Sequence, residues 1–196
     1  MPANATVADI LRPCERRYAL VYDLALIISG SLLIAVSAQI AVGYPVPITG
    51  QTFAVLMIAA LLGSRRAAAC LLTYLAEGAV GLPVFAQAKA GLVAFAGPTG
   101  GYLVGFVVAA FVVGLLAEMG WDRKFGTTVL AMVIGNIVIY AFGLTWLAHL
   151  IGAKSAIAGG LYPFIPGDIL KIVLAAALLP SAWKLLGRSE LAGPKS

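Results

Sequence analysis

Asp168 and Lys171 are the residues of this chain with the clearest chemical potential. They stand three apart in Pro163-Phe164-Ile165-Pro166-Gly167-Asp168-Ile169-Leu170-Lys171. The proline and glycine mark a helix start, and the spacing puts both charges on one helical face. Apolar sequence surrounds them, and an ionisable group inside a membrane costs at least about 2.5 kcal/mol on insertion scales, so such groups face a cavity or a bundle interior. A paired carboxylate and ammonium set an acceptor beside a donor. That suits a neutral ligand with N–H groups next to a carbonyl, such as a cyclic urea. The helix dipole favours Asp168 as an anion, and hence as an acceptor when the site is empty. The competing reading is an ion pair that only locks helices, or Lys171 snorkelling to the interface.

Three further groups of residues accompany this pair. Pro45-Val46-Pro47-Ile48-Thr49-Gly50-Gln51-Thr52 is stiffened by two prolines and ends in polar side chains at a helix mouth. Thr49, Gln51 and Thr52 are candidates for capping that helix or for meeting a ligand, and the Gln51 amide offers both donors and acceptors. The segment Gly81–Gly100 carries Phe85, Gln87, Lys89 and Phe95, and is too apolar for a solvated loop and too rich in glycine for a span. It reads as a reentrant loop or lid. Its phenylalanines either wall a ligand ring or anchor the loop at the interface, and Lys89 is either a partner for a ligand carboxylate or a solvated lysine. Asn136 and Tyr140 lie four apart on one helical face and either line the same cavity or bond between helices. Glu77 faces the outer cavity or caps backbone.

Catalytic and metal chemistry lack their parts. His149 is the only histidine, and one histidine without a carboxylate cluster does not make a metal site. The chain has no HExxH, Gly-x-Ser-x-Gly or Walker A motif, so it reads as a non-enzyme with no cofactor. Cys14 and Cys70 suggest no disulfide framework.

The elements that must position these groups are membrane helices. With 62% hydrophobic and 11% charged residues the chain lacks the polar surface of a soluble domain. Unpaired backbone in lipid is too costly for anything but helices or closed barrels, and the stretches are too long and uniform for barrel strands. Six spans are expected, at Tyr22–Val42, Gln51–Leu62, Ala67–Val80, Tyr102–Ala117, Thr127–Leu150 and Gly167–Leu186. The fold class is therefore an all-α membrane protein, a single six-helix domain over residues 1–196. Residues 1–21 and 187–196 are short cytoplasmic terminal segments. The second and third spans fall short of the roughly twenty residues a crossing needs, so a shallow or kinked hairpin is an alternative for them.

Charge sets the orientation. Arg12, Arg16, Arg17, Arg65, Arg66, Arg123, Lys124, Lys184, Arg188 and Lys195 fall in segments that alternate with the Pro/Gly-rich ones. The positive-inside rule places these cations and both termini in the cytoplasm, with Lys89 and Lys154 outside. The Pro/Gly-rich loops then close a binding site on the outer face. A net charge of +5 has this topogenic explanation and does not call for nucleic acid. Arg12–Arg17 followed by Leu24–Val36 imitates a signal peptide, but the apolar run continues to Val42, as a span does.

The motifs PVPITGQTF, GLPVFA, GPTGGYLVGF and PFIPGDILK, in that order from about Tyr44 to Leu174, resemble the BioY family, the biotin-specific S-components of energy-coupling factor (ECF) transporters. The resemblance implies a six-helix subunit in the bacterial plasma membrane that captures biotin from outside. Asp168 and Lys171 would hold the ureido ring. Phe85, Gln87 and Lys89 would contribute from the loop after GLPVFA, and Gln51 from the helix mouth. A membrane T-component and a pair of ATPases are the implied partners, besides lipid. S-components dock through an Ala-xxx-Ala surface on the first helix, where Ala25-xxx-Ser29 is the nearest match and Ser29 departs from it. Two rival functions remain at this stage: an ion- or proton-coupled secondary transporter in which Asp168 carries the coupled ion, and a structural subunit with no ligand.

Overall fold

The computed structural model describes residues 5–43 and 46–191. Pro45 of the first motif and the tail beyond Leu191 lie outside the described residues. The chain forms α1 (Val7–Ile10), α2 (Arg16–Gln39), a two-stranded antiparallel hairpin of β1 (Ala41–Val42) and β2 (Ile48–Thr49), α3 (Gln51–Leu62) and α4 (Ser64–Ala79). There follow α5 (Val93–Ala96), α6 (Gly100–Glu118), α7 (Phe125–Ile151), α8 (Ala153–Gly160) and α9 (Ile165–Leu191). Among the described residues, α2, α6, α7 and α9 are long and apolar enough to cross a membrane.

The two short helices expected from the sequence are short in the structure as well. At about 1.5 Å per residue, α3 and α4 span roughly 18 and 24 Å, less than the roughly 30 Å hydrocarbon thickness. Gly63, at φ +82°, turns the chain between them without a loop. Other boundaries differ from expectation. The first span, α2, begins at Arg16 rather than Tyr22 and stops at Gln39, where the chain turns into the hairpin, and α9 runs on to Leu191, past the expected end at Leu186.

The most buried of the four long helices is α6, packed against α3, α4 and α7. Small residues make that possible. Ala109, Ala110 and Val113 are fully buried, and a Cβ on Gly114 would collide with the backbone of Ser64. By contrast α2 exposes Leu24, Ile28, Leu32, Leu33 and Val36, an apolar face whose one hydroxyl, Ser29, donates to Leu26 O of its own helix, as a lipid-facing helix requires. Ala25 and Ser29 are on exposed positions of this helix.

One end of the bundle gathers charge. Arg66 donates to Asp9 at 2.7 Å and Asp23 at 2.8 Å, and Arg12 donates to Asp23 at 2.6 Å. Glu118 accepts both the Ser64 backbone N–H and its hydroxyl, at 2.7 and 2.8 Å. Trp183 donates to the buried Asp122 at 2.6 Å beneath the Arg123 guanidinium. Because α2 starts here and α9 ends here, their other ends, at Gln39 and Asp168, meet at the opposite face.

Candidate functional site

At that opposite face lies a partly enclosed, aromatic-walled cavity of about 40 Å³ that opens to the outside. Every stretch singled out in the sequence reaches it. Thr49, Gln51 and Thr52 come from the hairpin and the start of α3, Phe85 and Lys89 from the loop after α4, and Tyr140 from α7. Four aromatics that hydropathy reading did not single out complete or back the wall: Tyr102, Phe106 and Phe164 line it, and Tyr74 stands behind Phe85. Tyr102 and Phe106 are four apart on α6, a helical spacing that signals a shared face.

The polar floor of the cavity is a bonded chain. Lys171 donates to Thr49 O and Thr52 Oγ1, each at 2.8 Å, and sits 3.4 Å from Asp168 Oδ1. The other carboxylate oxygen accepts from the Tyr140 hydroxyl in a short hydrogen bond. Asp168 is buried and bonded on both oxygens, and its partner Tyr140, not Asp168 itself, lines the main cavity. The pair thus contacts on its shared helical face as the spacing requires, but its charge reaches the cavity through Tyr140, Thr49 and Thr52. Such a network stays satisfied when empty, which a buried carboxylate needs.

Phe85 is buried, not an interfacial anchor. Its ring packs edge-on to Tyr74 and Phe95, with centroids 5.4 and 5.5 Å apart, and lies so close over Gly78 that a Cβ there would sit inside the ring. Tyr74 in turn accepts from the Gln51 amide at 3.0 Å and donates to Val84 O at 3.2 Å. Thr49 Oγ1 accepts the Gln51 N–H at 3.3 Å, so this hydroxyl, one residue ahead of the Gly50 cap, satisfies the first N–H of α3 while the Thr49 carbonyl holds Lys171.

Three expectations depart from the structure. Asn136 does not share the main cavity with Tyr140, nor does it bond between helices. Its amide donates to Met132 O within α7 at 3.0 Å, and it faces a smaller space shared with Lys171 and Thr52. Helical spacing put both on one side, but the cavity ends above Asn136, one turn closer to the charged end. Gln87 is exposed and donates to Gly43 O at 3.2 Å, which turns it from the cavity toward the hairpin. Lys89 is exposed as well, yet at the cavity mouth. Glu77 neither faces the cavity nor caps backbone: it accepts from Ser31 of α2 at 2.9 Å.

Comparison with known proteins gives this arrangement a lineage. The model of the BioY family matches residues 7–188. The chain belongs to the BioY family. It is 41% identical over 158 residues to the biotin transporter BioY of Rhizobium etli, covering 76% of this chain and 80% of the relative. It is 43% identical over 150 residues to that of Thermotoga maritima, covering 74% and 86%. Its fold is similar to the 2.1 Å crystal structure of the S-component for biotin from an ECF-type ABC transporter, with a TM-score of 0.73 and 25% identity, over 87% of this chain and 95% of that one. As a BioY member with several apolar helices it is a multi-pass integral membrane protein and not an enzyme.

Proposed function

We propose that this chain is the substrate-capture subunit of a biotin uptake system in the bacterial plasma membrane. The observation that carries the reading is the convergence of four separate sequence motifs on one cavity, with a carboxylate and an ammonium wired into its floor. The aromatic wall of Phe85, Tyr102, Phe106 and Phe164 suits the apolar part of biotin. The ureido ring has N–H donors and a carbonyl acceptor. It is held at the floor by the network that Asp168 and Lys171 supply through Tyr140, Thr49 and Thr52, with the Gln51 amide beside them. Lys89 at the mouth takes the carboxylate. Gln87 and Asn136 act indirectly, as loop and helix supports.

Six crossings with both termini in the cytoplasm complete the picture. The charged end, with Arg12, Arg16, Arg17, Arg65 and Arg66, faces inward by the positive-inside rule, and the cavity faces outward. Since the chain has no nucleotide-binding loop, uphill transport draws on a T-component and an ATPase pair, which meet the exposed face of α2 around Ala25 and Ser29. The outer loops close on biotin, and the loaded subunit reorients to release it inward.

The test is isothermal titration of biotin into the purified chain in detergent, with cysteine labelling of Cys14 in oriented vesicles. One-to-one binding and labelling of Cys14 only from the inner side support the proposal. No heat and no competition with labelled biotin, in folded protein, overturn it. A proton or sodium gradient that drives uptake without ATPases would favour the ion-coupled alternative.

A further inference from the structure

Gln39 ends the lipid-facing α2, yet its side chain reaches the loop that walls the cavity. Its amide nitrogen, with two N–H groups to give, lies 3.2 Å from both Val84 O and Phe85 O, 3.5 Å from Pro83 O and 3.3 Å from Ala35 O of its own helix, and its amide oxygen accepts the Ala88 N–H at 3.1 Å. A side-chain amide carries the same donor and acceptor as a backbone peptide, so Gln39 stands in for a neighbouring strand. The segment it grips is not relaxed. Gln87 and Ala88 have φ of 62° and 55°, the left-handed region that L side chains occupy at a cost. That turn is closed by the Phe85 N–H on Lys89 O at 3.1 Å, and both of its end residues line the cavity. From outside, the turn is held by Gln39 and by the bond of Gln87 to Gly43 O, and losing the Gln39 contacts, which grip backbone on both sides of it, frees the turn to shift toward ordinary dihedrals and carry Phe85 and Lys89 with it.

We propose that Gln39 is a positioning residue, a latch that ties the end of α2 to the Phe85–Lys89 turn and so sets how long the cavity stays closed over its ligand. The inference rests on the reading of that cavity as the biotin site. It also gives α2 a mechanical link to the site: displacement of this lipid-facing helix pulls on the turn directly.

The experiment measures dissociation of labelled biotin from the full chain in detergent. Gln39→Met removes donor and acceptor at similar volume, and Gln39→Glu keeps the acceptor but sets a carboxylate against the two carbonyls. Both variants speed dissociation roughly tenfold, while association changes less than about threefold. Adding Ala88→Gly to Gln39→Met restores most of the dwell time, because glycine takes the left-handed conformation without a latch. Unchanged dissociation in Gln39→Met, or faster dissociation that Ala88→Gly does not rescue, overturns the latch. If the wild-type chain binds no biotin, the binding-site reading fails first. The latch is then judged on the ligand-free chain by hydrogen exchange at residues 84–89: faster exchange in Gln39→Met than in wild type supports it, and equal exchange overturns it.

Discussion

Asp168→Asn is the substitution that weighs the polar floor against the cavity mouth. In the structure the carboxylate accepts from Tyr140 on one oxygen and from Lys171, at 3.4 Å, on the other. Hydrogen bonds to a charged group contribute about 1.5–3 kcal/mol and neutral ones about 0.5–1.5, so neutralising Asp168 loses about 1–1.5 kcal/mol for a well-formed bond. The Tyr140 bond bears this in full and the long Lys171 contact only in part. Breaking a buried ion pair can cost about 3–5 kcal/mol, but Lys171 retains Thr49 O and Thr52 Oγ1 and remains partly exposed, which discounts that figure heavily. These bonds lie within the chain, so binding loses only what it costs to re-form a floor that has relaxed without them: at most their sum, about 2 kcal/mol, or up to roughly 30-fold weaker biotin binding by isothermal titration. Lys89→Ala removes an exposed rim charge and is expected to weaken binding less than about fivefold. Both variants are to be matched in melting temperature first. Equal losses, or a larger loss for Lys89→Ala, would refute the assignment of the ring to the floor and the carboxylate to the mouth.

Gly78→Ala places a methyl group where the Phe85 ring lies, an overpacking that costs about 1–3 kcal/mol unless the ring leaves its place. The expected result is about tenfold weaker biotin binding with a lowered melting temperature; wild-type affinity would show that Phe85 does not shape the site. At the charged end, burial raises the Asp9 pKa, but hydrogen bonds from Thr6 and Arg66 outweigh it and hold the carboxyl below its usual 3.8. A depressed carboxylate stabilises the fold above its unfolded pKa and loses that contribution as pH falls through the folded value. Hydrogen-exchange protection of α1 should therefore stay level at neutral pH and fall below about pH 4, whereas in Asp9→Asn it should start lower and not show this step.

Several features of this protein follow from the chain alone because they depend on local composition. Apolar length is a property of consecutive residues, and it specified α3, α6 and α7 nearly to their ends, whereas α9 continues past Leu186, where cations interrupt the apolar run. The alternation of cations with Pro/Gly-rich loops likewise separated the two faces. The i, i+3 spacing of Asp168 and Lys171 was enough to predict that they touch, since a helix start fixes both directions. What spacing could not supply is depth and partner. Asn136 and Tyr140 share a helical face, but only the packing of α3 against α7 and α9 decides that one opens on the cavity and the other lies beneath it. The bond that links Asp168 to the cavity through Tyr140 joins residues 28 apart in sequence, and the bond from Lys171 to Thr49 joins residues 122 apart. The hold of Gln39 on the Phe85 turn is of the same kind. Side-chain amides carry no hydropathy signal, and their partners are backbone atoms that any residue would offer, so such a latch exists only once the helices have packed.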